Sequence, residues 1–95
     1  MIRYHVRIPP ELRDLAAHIP PTIKRKLHAS LRLLETDPLV GKPLERELAG
    51  YRSCRIRPYR IVYKIDPSHR VIHIVLVAPR RDIYTLLGER LRLTE

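Results

Sequence analysis

The sequence predicts an α+β domain with elements in the order βααβββα: a sheet of about four mostly antiparallel strands, packed against a helical hairpin and followed by a C-terminal helix. Three observations carry that class. Tyr59, Ile61, Tyr63 and Ile65 alternate with Arg60, Val62 and Lys64, the period-two signature of a half-buried strand with one apolar, aromatic face and one cationic face. Val71 to Ala78 is almost continuously apolar and β-branched, which suits an inner strand covered on both faces. Ile23, Leu27, Leu31 and Leu34 recur at the spacing of one helix face. A chain of 95 residues makes one domain, 1–95, with a single core and no room for a large enclosed cavity. Function is therefore expected on a surface or in a shallow groove.

Taken in order, Ile2, Tyr4, Val6 and Ile8 alternate with Arg3, His5 and Arg7, predicting a short first strand. Pro9 and Pro10 end it and can open a helix, because proline has no N–H to lose in the first turn. Leu12, Leu15, Ala16 and Ile19 then form an amphipathic stripe. Pro20 and Pro21 separate this helix from a second, in which Lys24, Arg25, Lys26, His28, Arg32 and Glu35 face outwards. The two should pair as a hairpin on the sheet. Asp37 and Pro38 end the second helix, since the residue before a proline is pushed out of the α region.

Residues 38–50 read as a connection whose Leu44 and Leu48 tuck into the core, with Gly50 offering a turn. Three strands are then predicted near 52–57, 59–65 and 70–78, joined at Pro58 and at Asp66, Pro67 and Ser68 as an antiparallel meander. From Arg81 to about Leu93 the pattern returns to helical, with Ile83, Leu86, Leu87 and Leu91 apolar. There is no repeat or low-complexity tract.

Nineteen Lys and Arg against ten Asp and Glu leave a net charge of +9, favouring a polyanion such as nucleic acid or an acidic protein as partner. The charge is unevenly spread: Arg52, Arg55, Arg57 and Arg60 fall in one short stretch without an acid. A single cysteine, Cys54, excludes an intrachain disulfide framework and a cysteine zinc cluster, and its place in the alternation reads as a buried, inert thiol. No run is long enough to cross a bilayer, and the polar start is no signal peptide, so a cytoplasmic chain without a membrane is expected.

No metal is expected either. His69 and His73 stand four strand residues apart, about 13 Å at ~3.3 Å per residue, too far to share an ion. His5 and His73 could be neighbours if the first strand pairs with the apolar one, but lone strand histidines are more often structural than chemical. Arg13, Lys24, Arg25, Lys26 and Arg32 read chiefly as a solvated helix face and only secondarily as an RNA contact, and Arg90 and Arg92 as partners of the last helix's C-terminal dipole. Tyr59 and Tyr63 read as core aromatics.

The order of elements, a leucine-bearing connection ending in Gly50, the stretch RIRPYRIVYKI and an apolar strand running into APRRDIY together resemble the RelE/ParE superfamily of small toxins from toxin–antitoxin pairs. The likeness covers nearly the whole chain, and the YR-x-x-Y strand with the terminal R-x-x-x-Y points to the RelE-like branch. What it implies is a metal-independent endoribonuclease, without cofactor, that cuts mRNA in the ribosomal A site and is held inactive by a small acidic antitoxin. By position the resemblance assigns Arg55 and Arg57 to two basic residues of the family's second strand, Arg60 to its next-strand arginine, Arg80 to the arginine after the last strand, and Tyr84 to the tyrosine opening the final helix. Arginine suits phosphate neutralisation, because its planar fork stays charged and grips two oxygens. It is a poor proton acceptor, so the base is open between Tyr84 and Lys64. The same fold also hosts gyrase-poisoning ParE-like toxins, and an inactive basic binding module is a third reading.

Overall fold

The computed structural model describes residues 2–79 and 81–93, without the side chains of Leu15, Ala16 and Leu93. It comprises β1 (His5–Arg7), α1 (Pro10–Ala16), α2 (Pro21–Thr36), β2 (Lys42–Pro43), a 3-10 turn (Arg46–Leu48), β3 (Arg52–Ile56), β4 (Tyr59–Asp66), β5 (Val71–Pro79) and α3 (Ile83–Leu93). The strands form one sheet in the order β1-β5-β4-β3-β2. β1 runs parallel to β5, and the other neighbours are antiparallel.

The expected order of elements is present, with one strand more than expected. β2 is only two residues long, too short to leave an alternation in the sequence, and its Pro43 sits on the sheet edge, where a missing N–H costs no internal ladder bond. β1 is also shorter than the alternation from Ile2 to Ile8 suggested. Its pairing begins at His5 opposite Val71, the first residue of β5. Upstream, the Tyr4 N–H donates instead to the Glu35 carbonyl at the end of α2, at 2.7 Å.

The helical hairpin covers one sheet face. Leu12, Ile19, Leu27, Leu31 and Leu34 pack on Ile56, Ile61, Tyr63, Ile72, Ile74 and Val77. Of the predicted stripe in α1, Leu15 and Ala16 lie outside the described side chains. The opposite face departs from expectation. It is not cationic throughout, because Val62, Leu76 and Ala78 are buried there beneath Ile83 and Leu87 of α3, with Leu44, Leu48 and Tyr51 alongside. An irregularity in the β4–β5 ladder, between Val62 and Tyr63, accompanies this: Val62 faces Leu76 while Tyr63 faces Ile74. Each fully buried aliphatic of this kind contributes about 1.5–3 kcal/mol.

The loop before β2 is fastened to the sheet by a small polar network. The Tyr63 hydroxyl donates to the Pro38 carbonyl at 2.7 Å and accepts from the Gly41 N–H at 3.0 Å. Burial pushes the Tyr63 phenol above its ordinary pKa, so it keeps the proton it donates. A Cβ at Gly41 would stand 2.6 Å from Tyr63 Oη and 2.8 Å from the Ser53 carbonyl oxygen, so only glycine fits. Among the described residues, no helix is long and apolar enough to cross a membrane.

Candidate functional site

The β3–β4 register sets Arg55 directly opposite Arg60. Side chains opposite one another in an antiparallel pair share a face, with Cβ atoms about 4.5–5.5 Å apart, and like charges so placed are destabilising. Both arginines stand on the face that α3 partly covers, beyond the edge of its apolar cluster. Arg57 is not on the strand as expected. β3 ends at Ile56, and Arg57 opens a tight turn through a cis bond to Pro58. The turn nevertheless brings it back, so that Arg55, Arg57, Pro58, Tyr59 and Arg60 line one shallow hollow.

Two further hollows adjoin this one. Lys26, Ala29 and Ser30 of α2 line a hollow with Arg55, Ile56 and Arg57, which adds a lysine that the sequence pattern had assigned to a solvated helix face. On the other side Pro58 borders a hollow with Pro79, Arg81 and Tyr84. The β4–β5 register explains that neighbourhood, since Tyr59 faces Pro79 and Arg60 faces Ala78. Ile83 and Leu87 anchor α3 with no exposed surface, and Tyr84, the next residue after Ile83, is left 51% exposed beside Pro58. Arg80, the remaining candidate, lies outside the described residues.

Arg60 is held in an unusual way. Its Nη1 donates to the Ser53 hydroxyl at 3.0 Å, while its Nε is buried and, among the described residues, has no hydrogen-bond partner. A buried donor left unmatched costs about 1–3 kcal/mol. No carboxylate forms an ion pair with Arg57 or Arg60 among the described residues. Ser53 itself, 4% exposed, is the buried polar side chain of the described core. Sequence reasoning missed it. Counting back two residues from Arg55 along the strand would have placed it on this face.

Other candidates separate from the groove. Lys64 lies four residues along β4 from Arg60, with buried Val62 between them. It is exposed, with Nζ 5.7 Å from the Tyr51 ring centre, and it lines none of the three hollows. Lys64 is thereby removed as a base for chemistry at Arg60. β1 does pair with β5, but His73 faces Arg7, and His5 faces Val71, so the two imidazoles are offset along the ladder. Cys54 is half-buried on the hairpin side, and burial raises its thiol pKa, in keeping with an inert role. Arg92 Nε reaches the Gly88 carbonyl at 3.4 Å near the end of α3, whereas Arg90 instead pairs with Glu11 of α1 at 2.9 Å. No group of three or more His, Cys, Asp or Glu able to hold a metal ion occurs among the described residues.

Residues 2–84 match the family described as ParE toxin of type II toxin–antitoxin system, parDE. The chain is 42% identical to Toxin RelG of Mycobacterium tuberculosis over 73 residues, spanning 76% of this chain and 84% of that one. It is 39% identical to Toxin RelE of the same organism over 54 residues, 57% of this chain and 56% of that one. The toxin–antitoxin complex RelBE2 of M. tuberculosis contains a chain that superposes with a TM-score of 0.71 at 38% identity, covering 83% of this chain and 100% of that chain. The match along the sequence and the superposition of the fold agree, and the chain belongs to the RelE/ParE superfamily of type II toxin–antitoxin toxins, on its RelE-like branch.

Proposed function

We propose that this toxin is a metal-independent endoribonuclease that cleaves mRNA on the ribosome and so stops translation. The reading rests above all on the register pair Arg55–Arg60, joined by Arg57 across the turn, which concentrates guanidinium groups where a single phosphodiester can be shared. In the reaction the ribose 2′-oxygen attacks the adjacent phosphorus, and the bond to the 5′-oxygen breaks, leaving a 2′,3′-cyclic phosphate and a free 5′-hydroxyl. The proton lost by the 2′-hydroxyl balances the one gained by the 5′-oxygen. The crowded phosphorus carries more negative charge in the transition state than in the ground state. Fixed cations around it therefore lower the barrier more than they stabilise the bound message.

Arg55, Arg57 and Arg60 supply that field, and the resemblance to the family adds Arg80 to them. Tyr84 stacks on a base beside the cleaved bond and is the exposed group at this edge able to pass a proton. The arginines themselves do not accept protons. Lys26 extends the cationic rim from α2. The partner that silences the toxin is a small acidic antitoxin laid over this basic surface, with its charge complementary to the groove.

The test is induced expression in a growing culture. Arrest of protein synthesis with cuts in translated messages, mapped to cyclic-phosphate ends, is the expected result. Intact messages with DNA damage would replace this reading by gyrase poisoning, the activity of the superfamily's ParE branch. No growth arrest at all would leave a binding module.

A further inference from the structure

We infer that Ser53 is a positioning residue for Arg60, holding the guanidinium in the groove without neutralising it. The inference rests on the reading of Arg60 as a phosphate-binding side chain and goes beyond it by assigning the residue that aims it. Ser53 and Arg55 alternate on the same face of β3, and Arg55 faces Arg60 across the ladder, so Ser53 lies diagonal to Arg60, one rank in towards Val62. From there its hydroxyl accepts the Arg60 Nη1 hydrogen at 3.0 Å. With Nε covered and Nη1 tethered, the side chain has lost most of its rotational freedom before any ligand arrives.

The chemistry of the tether matters as much as its place. A carboxylate at this position would bind the guanidinium more tightly, but it would also cancel the charge and compete with the phosphate for the same hydrogens. A hydroxyl carries no net charge and occupies one hydrogen of the five, so with Nε covered the other Nη hydrogens remain for phosphate oxygens. The site of the tether is itself fixed. The Ser53 backbone carbonyl lies 2.8 Å from where a Cβ on Gly41 would sit, and the Gly41 segment is clamped to the sheet by Tyr63 and Arg52. The rigid polar network on one side of β3 thus supports the aim of a cation on the other.

The experiment measures single-turnover cleavage of a ribosome-bound message by the full-length toxin. Ser53→Ala should slow the cleavage step by about ten- to a hundredfold, the usual range for losing a hydrogen bond to a charged group, with ribosome affinity nearly unchanged. Ser53→Thr, which keeps the acceptor, should restore most of the rate. Ser53→Cys, similar in shape but a weak acceptor, should behave like alanine and serves as the reporter if Ser53→Ala folds poorly. In an Arg60→Ala background, Ser53→Ala should add no further loss.

Full activity of Ser53→Ala overturns the inference, and so does an equal loss in the Arg60→Ala background, which would mark a merely structural role. If Ser53→Ala cleaves at the parent rate while Arg60→Ala abolishes cleavage, only the positioning role falls. If Arg60→Ala cleaves normally, the reading of the groove falls and the role of Ser53 with it.

Discussion

Arg52 and Arg60 belong to the same run of arginines in the sequence, yet they stand on opposite faces of the sheet and have opposite surroundings. Arg52 faces Tyr63 on the hairpin side and directs its donors to backbone. Its Nε and Nη2 reach the Gly41 carbonyl at 3.1 and 2.7 Å, and Nη2 also reaches the Leu39 carbonyl at 3.0 Å. Arg60 has one donor on a serine and a buried Nε with nothing described to meet it. The first arginine completes the fold, and the second is left incomplete by it. A protein that keeps a buried donor unmatched next to a second guanidinium forgoes stability.

That contrast can be broken by reciprocal substitutions. The largest effect belongs to Arg60→Ala, which should lower message cleavage by about 10²–10³-fold, as expected for removing one fixed donor from a developing charge. Its thermal unfolding midpoint should stay close to that of the parent. Arg52→Ala should do the reverse. It strands two carbonyls that a charged donor now satisfies and should cost about 2 kcal/mol of stability in denaturant titration. The cleavage rate of the folded fraction should hardly change. If both variants lost activity and stability together, the two arginines would not be separable and the division between the faces would fail.

A smaller effect sharpens the comparison at the far end of β4. There the Asp66 carboxylate accepts hydrogen bonds from the Ser68 hydroxyl at 2.8 Å and the His69 N–H at 3.2 Å, with His69 Nδ1 2.8 Å away. The Ser68 hydroxyl and the His69 ring hold its pKa down at about 2, against an ordinary 3.8. A carboxyl lowered by folding contributes stability that is present above its unfolded pKa and fades as pH falls from about 4 towards 2. Melting curves of Asp66→Asn should therefore lose less stability over that acid range than the parent. Cleavage should be unaffected, because this turn lies at the opposite end of the strand from Arg60.

Much of this was legible from residue pattern alone. The period-two run from Tyr59 to Ile65, the β-branched run from Val71 and the leucine stripe of α2 each fix an element, because burial on one face or two leaves its own repeat in the sequence. What the pattern hid has physical causes. A two-residue strand such as Lys42–Pro43 is shorter than any repeat. The irregularity passes over Val75 in β5, so Ile74 and Val77 share the hairpin face, and alternation along β4 alone assigned Val62 to a cationic side that α3 in fact covers.

Within the groove, the arginines stood out by composition. Their division into two faces follows the alternation along β3, whereas the end of that strand, one residue earlier than the pattern suggested, moved Arg57 from strand to turn. Ser53 and Lys26 did not stand out for a different reason. A small hydroxyl and one lysine among many carry little signal of their own, and it is the sheet register and the helix packing that set Ser53 diagonal to Arg60 and Lys26 beside Arg55.

The most direct measurement is a titration of the folded toxin with a short RNA carrying a 2′-O-methyl group at the cleaved position, followed through the arginine side-chain NMR resonances. The resonances of Arg55, Arg57 and Arg60 should shift together and saturate at one RNA concentration, while that of Arg52 stays in place. Movement of Arg52 in step with them, or an Arg60 resonance indifferent to RNA, would contradict a shared phosphate site at the turn between β3 and β4.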